Sequence, residues 1–240
     1  KEIVLTGIHT GRYGIDINSS LYELLCELVK IPNIYRIRLS SIEINEVTPE
    51  IIELYKNNKI MARHLHVPLQ SGSNKILKLM NRRYNKEEFM KMIDKLREIE
   101  DISLTTDLIV GFPNETDDDF EETMDTLKKI HFTKIHTFPY SRRRGTVADK
   151  MDGHISGDIK KKRVHEVIEL SNEYENEYYK SKISKVYDGV VERHNNGLVV
   201  VHTSNFIPVI IDDNDNIENN SIVNVKIERV DGLNVYGRVV

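Results

Sequence analysis

Polar side chains with distinct chemical competence recur where the pattern of the chain places strand ends. They are Thr6, Gly7, His9 and Tyr13; Ser40 and Glu43; His66, Gln70, Ser71 and then Arg82; and Asp107 with Gly111. A carboxylate only accepts hydrogen bonds and can take two, so Glu43 suits a ribose diol or an ammonium group. Gln70 offers a donor and an acceptor together, which suits a zwitterion or a nucleobase edge. Arg82 carries a guanidinium fork that matches a carboxylate through two parallel bonds. Asp107 stands inside the apolar run 104–110, where an unpaired carboxylate is expensive, so a substrate or loop N–H groups must partner it. Gly7 and Gly111 would let backbone come close to a ligand. Plainer readings stand beside these. Glu43 could cap a helix or pair with a lysine, His66 could be a strand histidine satisfied by backbone, and Thr6-Gly7 could be an ordinary turn.

Positioning these groups requires alternating strands and helices. Residues 3–5, 35–39, 63–67, 104–110 and 134–138 read as strands. Helices are expected over 21–29, from Thr48-Pro49 onward, as a pair within 74–100, over 115–130 and over 160–180. Ser19 or Ser20 and Thr48 can accept from orphan helical N–H groups, and Pro49 occupies the first turn at no hydrogen-bonding cost. This rhythm means parallel β/α units in a curved or barrel-like sheet, with ligands beyond the C-terminal strand ends. After Lys182 the chain changes to short β-branched runs at 186–191, 198–202, 207–211, 222–227 and 233–240. Asn196-Gly197 and Asp231-Gly232 are tight-hairpin signals, so a small all-β, OB-like barrel is expected there. The division is therefore 1–181 and 182–240.

The 240 residues carry a net charge of −4, which excludes coating nucleic acid by bulk charge. No apolar run reaches membrane-spanning length, so no membrane partner is expected. A single cysteine, Cys26, excludes a disulfide scaffold and suits a reducing cytoplasm. It sits in an apolar helical run and reads as a small buried core residue. Residues 142–163 carry eight basic groups against three acidic ones, a local phosphate-binding footprint or a solvated helix start. Residues 182–240 hold six basic and eight acidic groups, so RNA binding there would rest on Arg193, His194, Phe206 and Arg229 rather than on total charge.

The segments Leu5-Thr6-Gly7-Ile8-His9-Thr10-Gly11, Arg38-Leu39-Ser40-Ser41-Ile42-Glu43, His66-Val67-Pro68-Leu69-Gln70-Ser71-Gly72-Ser73 with Met80-Asn81-Arg82-Arg83, Asp107-Leu108-Ile109-Val110-Gly111-Phe112-Pro113-Asn114-Glu115-Thr116 and Phe138-Pro139-Tyr140-Ser141 occur in one order. Together they resemble the radical S-adenosylmethionine methylthiotransferases over essentially the whole chain. Within that family they are most similar to the subgroup acting on threonylcarbamoyl-adenosine beside the tRNA anticodon. Asn114, where the family has Gly, and Ile44, where relatives often have Pro, depart from the pattern.

The resemblance implies a partial (β/α) barrel of six strands whose first strand is missing here, followed by a TRAM domain. It implies S-adenosylmethionine bound by Thr6, Gly7, Ser40, Glu43, Gln70, Ser71, Arg82 and Gly111. His9, Tyr13 and Asp107 would face the substrate. Arg142, Arg143, Arg144, Lys161, Lys162, Arg163 and Arg193 would meet RNA. Family members hold [4Fe-4S] clusters on three-cysteine motifs, which one cysteine cannot supply. The chain therefore reads as the C-terminal part of a longer cytoplasmic, monomeric tRNA-modifying transferase, inactive alone, whose parent needs a reductant and a sulfur donor. A ribosomal-protein methylthiotransferase and a non-catalytic RNA-binding remnant are the alternatives.

Overall fold

The computed structural model describes residues 1–195, 198–212 and 217–240. Five parallel strands form the first layer: β1 (Glu2–Leu5), β2 (Arg36–Leu39), β3 (His64–His66), β4 (Ser103–Val110) and β5 (Lys134–Pro139). β1 pairs with β2, and β3, β4 and β5 pair in order. A single bridge from Ile37 to Met61 joins the two groups. The helices α1 (Leu21–Leu28), α2 (Pro49–Asn57), α3 (Asn74–Leu79), α4 (Lys86–Leu96) and α5 (Asp117–Ile130) lie between the strands in sequence. Ile37, Leu39, Leu65, Leu104 and Leu108 from the strands, with Leu25, Ile51, Phe89 and Leu127 from the helices, share one core.

Local signals account for the helix starts. Ser20 and Thr48 each accept a backbone N–H three residues on, and Pro49 fills the first turn of α2. Asn85 with Glu88 and Thr116 with Asp119 form capping boxes, in which two orphan donors are satisfied reciprocally. The expected helix 115–130 starts two residues late, because Glu115 turns its carboxylate back to the Gly111 N–H. Cys26 is half-buried rather than buried, packed on the rim of the main core.

α6 (Gly157–Lys180), capped by Ser156, runs along β5 and leads into the second layer. There β6 (Val186–Asn195), β7 (Leu198–Thr203), β8 (Pro208–Asp212), β9 (Ile222–Asp231) and β10 (Asn234–Val239) close into a barrel in the order β10-β8-β7-β6-β9. Val191, Val201, Val209, Val225, Ile227 and Val235 are buried together in its core. β6 and β9 are longer than expected, at ten residues each. Gly232, at φ +59°, makes the β9–β10 hairpin, whereas the expected Asn196-Gly197 turn lies outside the described residues. No helix among the described residues is long and apolar enough to cross a membrane.

The barrel closes against the strands' polar face. Arg36 is buried and pairs with Glu2 at 3.0 Å and with Asp188 of β6. Arg38 pairs with Glu2 at 2.9 Å and donates to the Thr203 and Ser204 carbonyls. Phe206, held at φ +65°, stacks on His64 with ring centroids 4.6 Å apart and lies under the Arg38 guanidinium. Asp101 receives Lys182 and Asn205 on the other side.

Candidate functional site

Residue alternation along the strands decides what faces the concave side. With Ile37, Leu65 and Leu104 committed to the helical layer, Arg38, His64, His66, Thr105 and Asp107 point the other way. At the C-terminal strand ends they open into a cavity of about 630 Å3 lined by Gln70, Arg82, Asp107, Phe112, Phe138 and Tyr140, among others. Gln70 is fixed there by its backbone. Its N–H donates to the Asp107 carbonyl and its carbonyl accepts from Ile109, both at 2.9 Å, with φ at +67°.

Arg82 also lines a second cavity of about 210 Å3, beside Glu43, His9, Arg12 and Glu46. Arg82 Nη1 donates to Glu43 Oε1 at 2.9 Å across the boundary, each side chain about a quarter exposed. Glu43 makes no helix-capping bond. The Arg82 Nε is buried with no partner. His9 approaches Glu46 at 3.3 Å. Thr6, Gly7, His9 and Tyr13 line a third groove of about 570 Å3 beyond β1. Ser40 lines none of these cavities; its N–H donates to the Leu5 carbonyl and continues the β1–β2 ladder.

Three expected site residues are placed elsewhere. Ser71 is 1% exposed, accepts from the Ser73 N–H and faces Thr123 of α5, so its hydroxyl is spent inside the fold. Gly111 does adopt φ +71°, yet a Cβ there would lie 2.4 Å from Lys160 Cγ. Lysine methylenes, not an open ligand space, fill that side. Arg163 is 4% exposed, bonded to Glu115 at 2.6 Å and Asp117 at 2.8 Å, and cannot present its guanidinium to phosphate. Lys160 is half-buried and donates to the Tyr140 carbonyl, whereas Arg144, Lys161 and Lys162 are exposed. Arg142 is clamped to Asp149 at 3.0 Å, and Arg143 lines the 630 Å3 cavity. Arg193 belongs to β6, and its side chain lies outside the described residues.

Sequence reasoning weighed His66 but passed over His64 and Thr105 beneath it. His66 Nε2 lies 3.3 Å from Asp107 Oδ1, while His66 Nδ1 and His64 Nε2 meet the Thr105 hydroxyl at 2.9 and 3.0 Å. Strand alternation was the available signal, since His64 and His66 must share a face. Burial, with Arg38, His66 and His136 adding to it, holds the His64 imidazole down at about 3. The unfolded chain binds a proton near pH 6.5 that the native chain refuses until about pH 3. Stability from this group is therefore complete above pH 6.5 and is lost as pH falls through that window. At pH 5 it should stand about 2 kcal/mol below its high-pH value. Urea titrations at pH 5 and 7.5 check this, and His64→Leu should remove most of the difference; an equal loss in both proteins would refute it.

Cys26 is the single cysteine of the sequence, and among the described residues no group of His, Cys, Asp and Glu could hold a metal ion. An iron–sulfur cluster needs several converging thiolates, so the residues present do not fit one. Anaerobic reconstitution of this chain should leave no stoichiometric cluster absorbance; absorbance abolished by Cys26→Ala would contradict this.

Comparison with known proteins meets this geometry. Residues 4–127 match the model of the radical SAM superfamily. The threonylcarbamoyladenosine tRNA methylthiotransferase of Thermotoga maritima is 45% identical over 77% of the chain and 43% of its own length. The tRNA-2-methylthio-N(6)-dimethylallyladenosine synthase of Thermodesulfovibrio yellowstonii is 40% identical over all of the chain and 56% of its own length. The chain thus spans about half the length of the curated relatives it matches. Among solved structures, the Escherichia coli radical SAM enzyme coproporphyrinogen III oxidase superposes with a TM-score of 0.51 at 20% identity, over 64% of this chain and 36% of that one. It shares the fold. With a polar cleft at the ends of parallel strands, and with tRNA methylthiotransferases among its relatives, the chain belongs to the radical SAM superfamily.

Proposed function

We propose that the cleft between β2, β3 and β4 is the S-adenosylmethionine site of a tRNA methylthiotransferase. The carrying observation is the Glu43–Arg82 pair, two opposite charges 2.9 Å apart at the junction of two cavities. An amino-acid zwitterion replaces such a pair charge for charge. Its carboxylate takes the Arg82 fork, including the unpartnered Nε, and its ammonium takes Glu43. Gln70 and Asp107 then offer acceptors for a nucleoside diol, and Phe112, Phe138 and Tyr140 supply apolar wall. When bound, S-adenosylmethionine supplies a methyl group and a 5′-deoxyadenosyl radical, which is chemistry of the cofactor rather than of side chains. The chain's own task is to orient it and to keep water from the reacting face.

The relatives' names point to a modified adenosine in tRNA as substrate; of the two forms they name we take the threonylcarbamoyl one, in a cytoplasmic protein. Exposed Arg144, Lys161 and Lys162 and the cavity-lining Arg143 give an RNA backbone its positive contacts. The division at 181–182, with the closed barrel as a TRAM domain, completes this reading. Glu43→Gln keeps size and removes charge. It should cost about 1–3 kcal/mol of S-adenosylmethionine binding, read by calorimetry on the full-length parent. A lowered melting temperature with unchanged affinity would remove Glu43 from the site.

A further inference from the structure

The polar chain His64–Thr105–His66–Asp107 has only one consistent direction. His64 is 5% exposed and neutral, with Nδ1 buried and unpartnered. Its single proton can sit on that nitrogen or on Nε2. A buried N–H without an acceptor is far rarer than a buried lone pair without a donor, so the proton sits on Nε2. Nε2–H then donates to the Thr105 oxygen at 3.0 Å. A hydroxyl has one proton of its own, and Thr105 must spend it on His66 Nδ1 at 2.9 Å. Nδ1 of His66 is thereby an acceptor, and its proton is forced onto Nε2, the nitrogen 3.3 Å from Asp107 Oδ1. Phe206, stacked on the His64 ring, and Arg38, over the Phe206 ring, cover the start of the chain. At the other end, Asp107 is a third exposed and lines the 630 Å3 cavity with Gln70 and Arg82.

We infer that His66 is a positioning residue for this cleft. It presents an N–H to one Asp107 oxygen and so turns the other toward the hydroxyl or N–H donors of an adenine nucleoside. Thr105 and His64 fix the tautomer with which it does so. The ligand part rests on the cofactor reading above; the tautomer part does not.

Long-range 1H–15N spectra of the imidazole nitrogens test both on the 240-residue chain. At pH 7.5 His64 and His66 should each show a protonated Nε2 and a bare Nδ1. Thr105→Val is close to isosteric and removes the hydroxyl. It should leave His66 as a mixture of tautomers and weaken S-adenosylmethionine binding five- to tenfold, while Thr105→Ser restores both. A structural role alone would move the melting temperature but not the tautomer ratio. His66 protonated on Nδ1 in the unaltered chain overturns the inference even if the valine variant does not fold. A mixed tautomer with unchanged affinity overturns the positioning role. Absence of any S-adenosylmethionine binding by the unaltered chain removes the cofactor reading and the ligand part with it, and the tautomer result still decides the relay. An anticodon stem-loop RNA, titrated in parallel, tells the two nucleoside sources apart: a Thr105→Val loss confined to the RNA assigns Asp107 to the substrate adenosine instead.

Discussion

Arg163→Ala should lower the unfolding free energy by about 3–5 kcal/mol, the largest loss expected from any single charged side chain here. Arg163 and Glu115 are 4% and 3% exposed and meet at 2.6 Å. Glu115 also accepts the Gly111 N–H at 2.8 Å, and Arg163 donates to the Glu115 carbonyl at 3.2 Å and to Asp117. Burial raises the Glu115 carboxyl above its usual range even with the guanidinium and Gly111 pulling it down. Deleting the guanidinium strands a carboxylate in a place without water. Such a group takes up a proton instead, so the deficit should shrink as pH falls: a raised carboxyl costs stability in full above its folded pKa, and the cost fades as pH falls from there to the unfolded value. Denaturant titrations at pH 8 and pH 5 check this. A deficit below 1 kcal/mol, or one independent of pH, would mean that the pair is better solvated than its burial indicates. Glu115→Gln combined with Arg163→Met should recover much of the loss, because a matched neutral pair strands nothing.

Arg36→Ala should cost about 2–3 kcal/mol and loosen the C-terminal barrel from the parallel strands. Arg36 is 1% exposed, yet its partners Glu2 and Asp188 keep 17% and 37% of their surface, which is why the expected cost is below that for Arg163. It also donates to the Asp188 and His202 carbonyls, so one guanidinium ties β1, β6 and β7 to β2. The native chain should unfold in one transition. The variant should show an earlier one in which limited proteolysis cuts near residues 181–185 while the barrel stays intact. A single, uniformly shifted transition would show that other contacts, such as Lys182 and Asn205 with Asp101, carry the docking.

The elements were legible because their signals are local. Ser20, Thr48 and Pro49 announce helix starts through bonds within three residues, and β-branched runs after Lys182 announce strands. That Gln70, Arg82 and Asp107 would line one cavity was legible because parallel strands present their C-terminal ends together. Arg163 was not, because it follows three lysines and reads as part of a charge run. Its phase was available all the same. Arg163, Val167, Ser171 and Tyr174 are buried in turn at helical spacing and mark the inner face, while Ile168 is exposed. Ser71 and Gly111 failed for another reason. Whether a loop residue beside a cavity-lining one turns inward depends on Thr123 and Lys160, which are distant in sequence. The His64–Thr105–His66 contacts cross strands, so no window of the sequence contains them.

α6 also acts as a ruler. Near its start Lys160 donates to the Tyr140 carbonyl at the cavity wall, and near its end Tyr179 enters the barrel's core. Nineteen residues separate these two points, about 30 Å of helix at 1.5 Å per residue. The spacing and the azimuth of the barrel relative to the cleft are thus quantised in residues. One residue inserted at mid-helix would advance the barrel by about 1.5 Å and swing it through about 100°. Tyr179 would travel with its core, since both follow the insertion, but the rotation would take the carbonyls of Asp188, His202, Thr203 and Ser204 away from Arg36 and Arg38. Substitutions on the outer face of α6 should be tolerated freely, and changes in its length hardly at all.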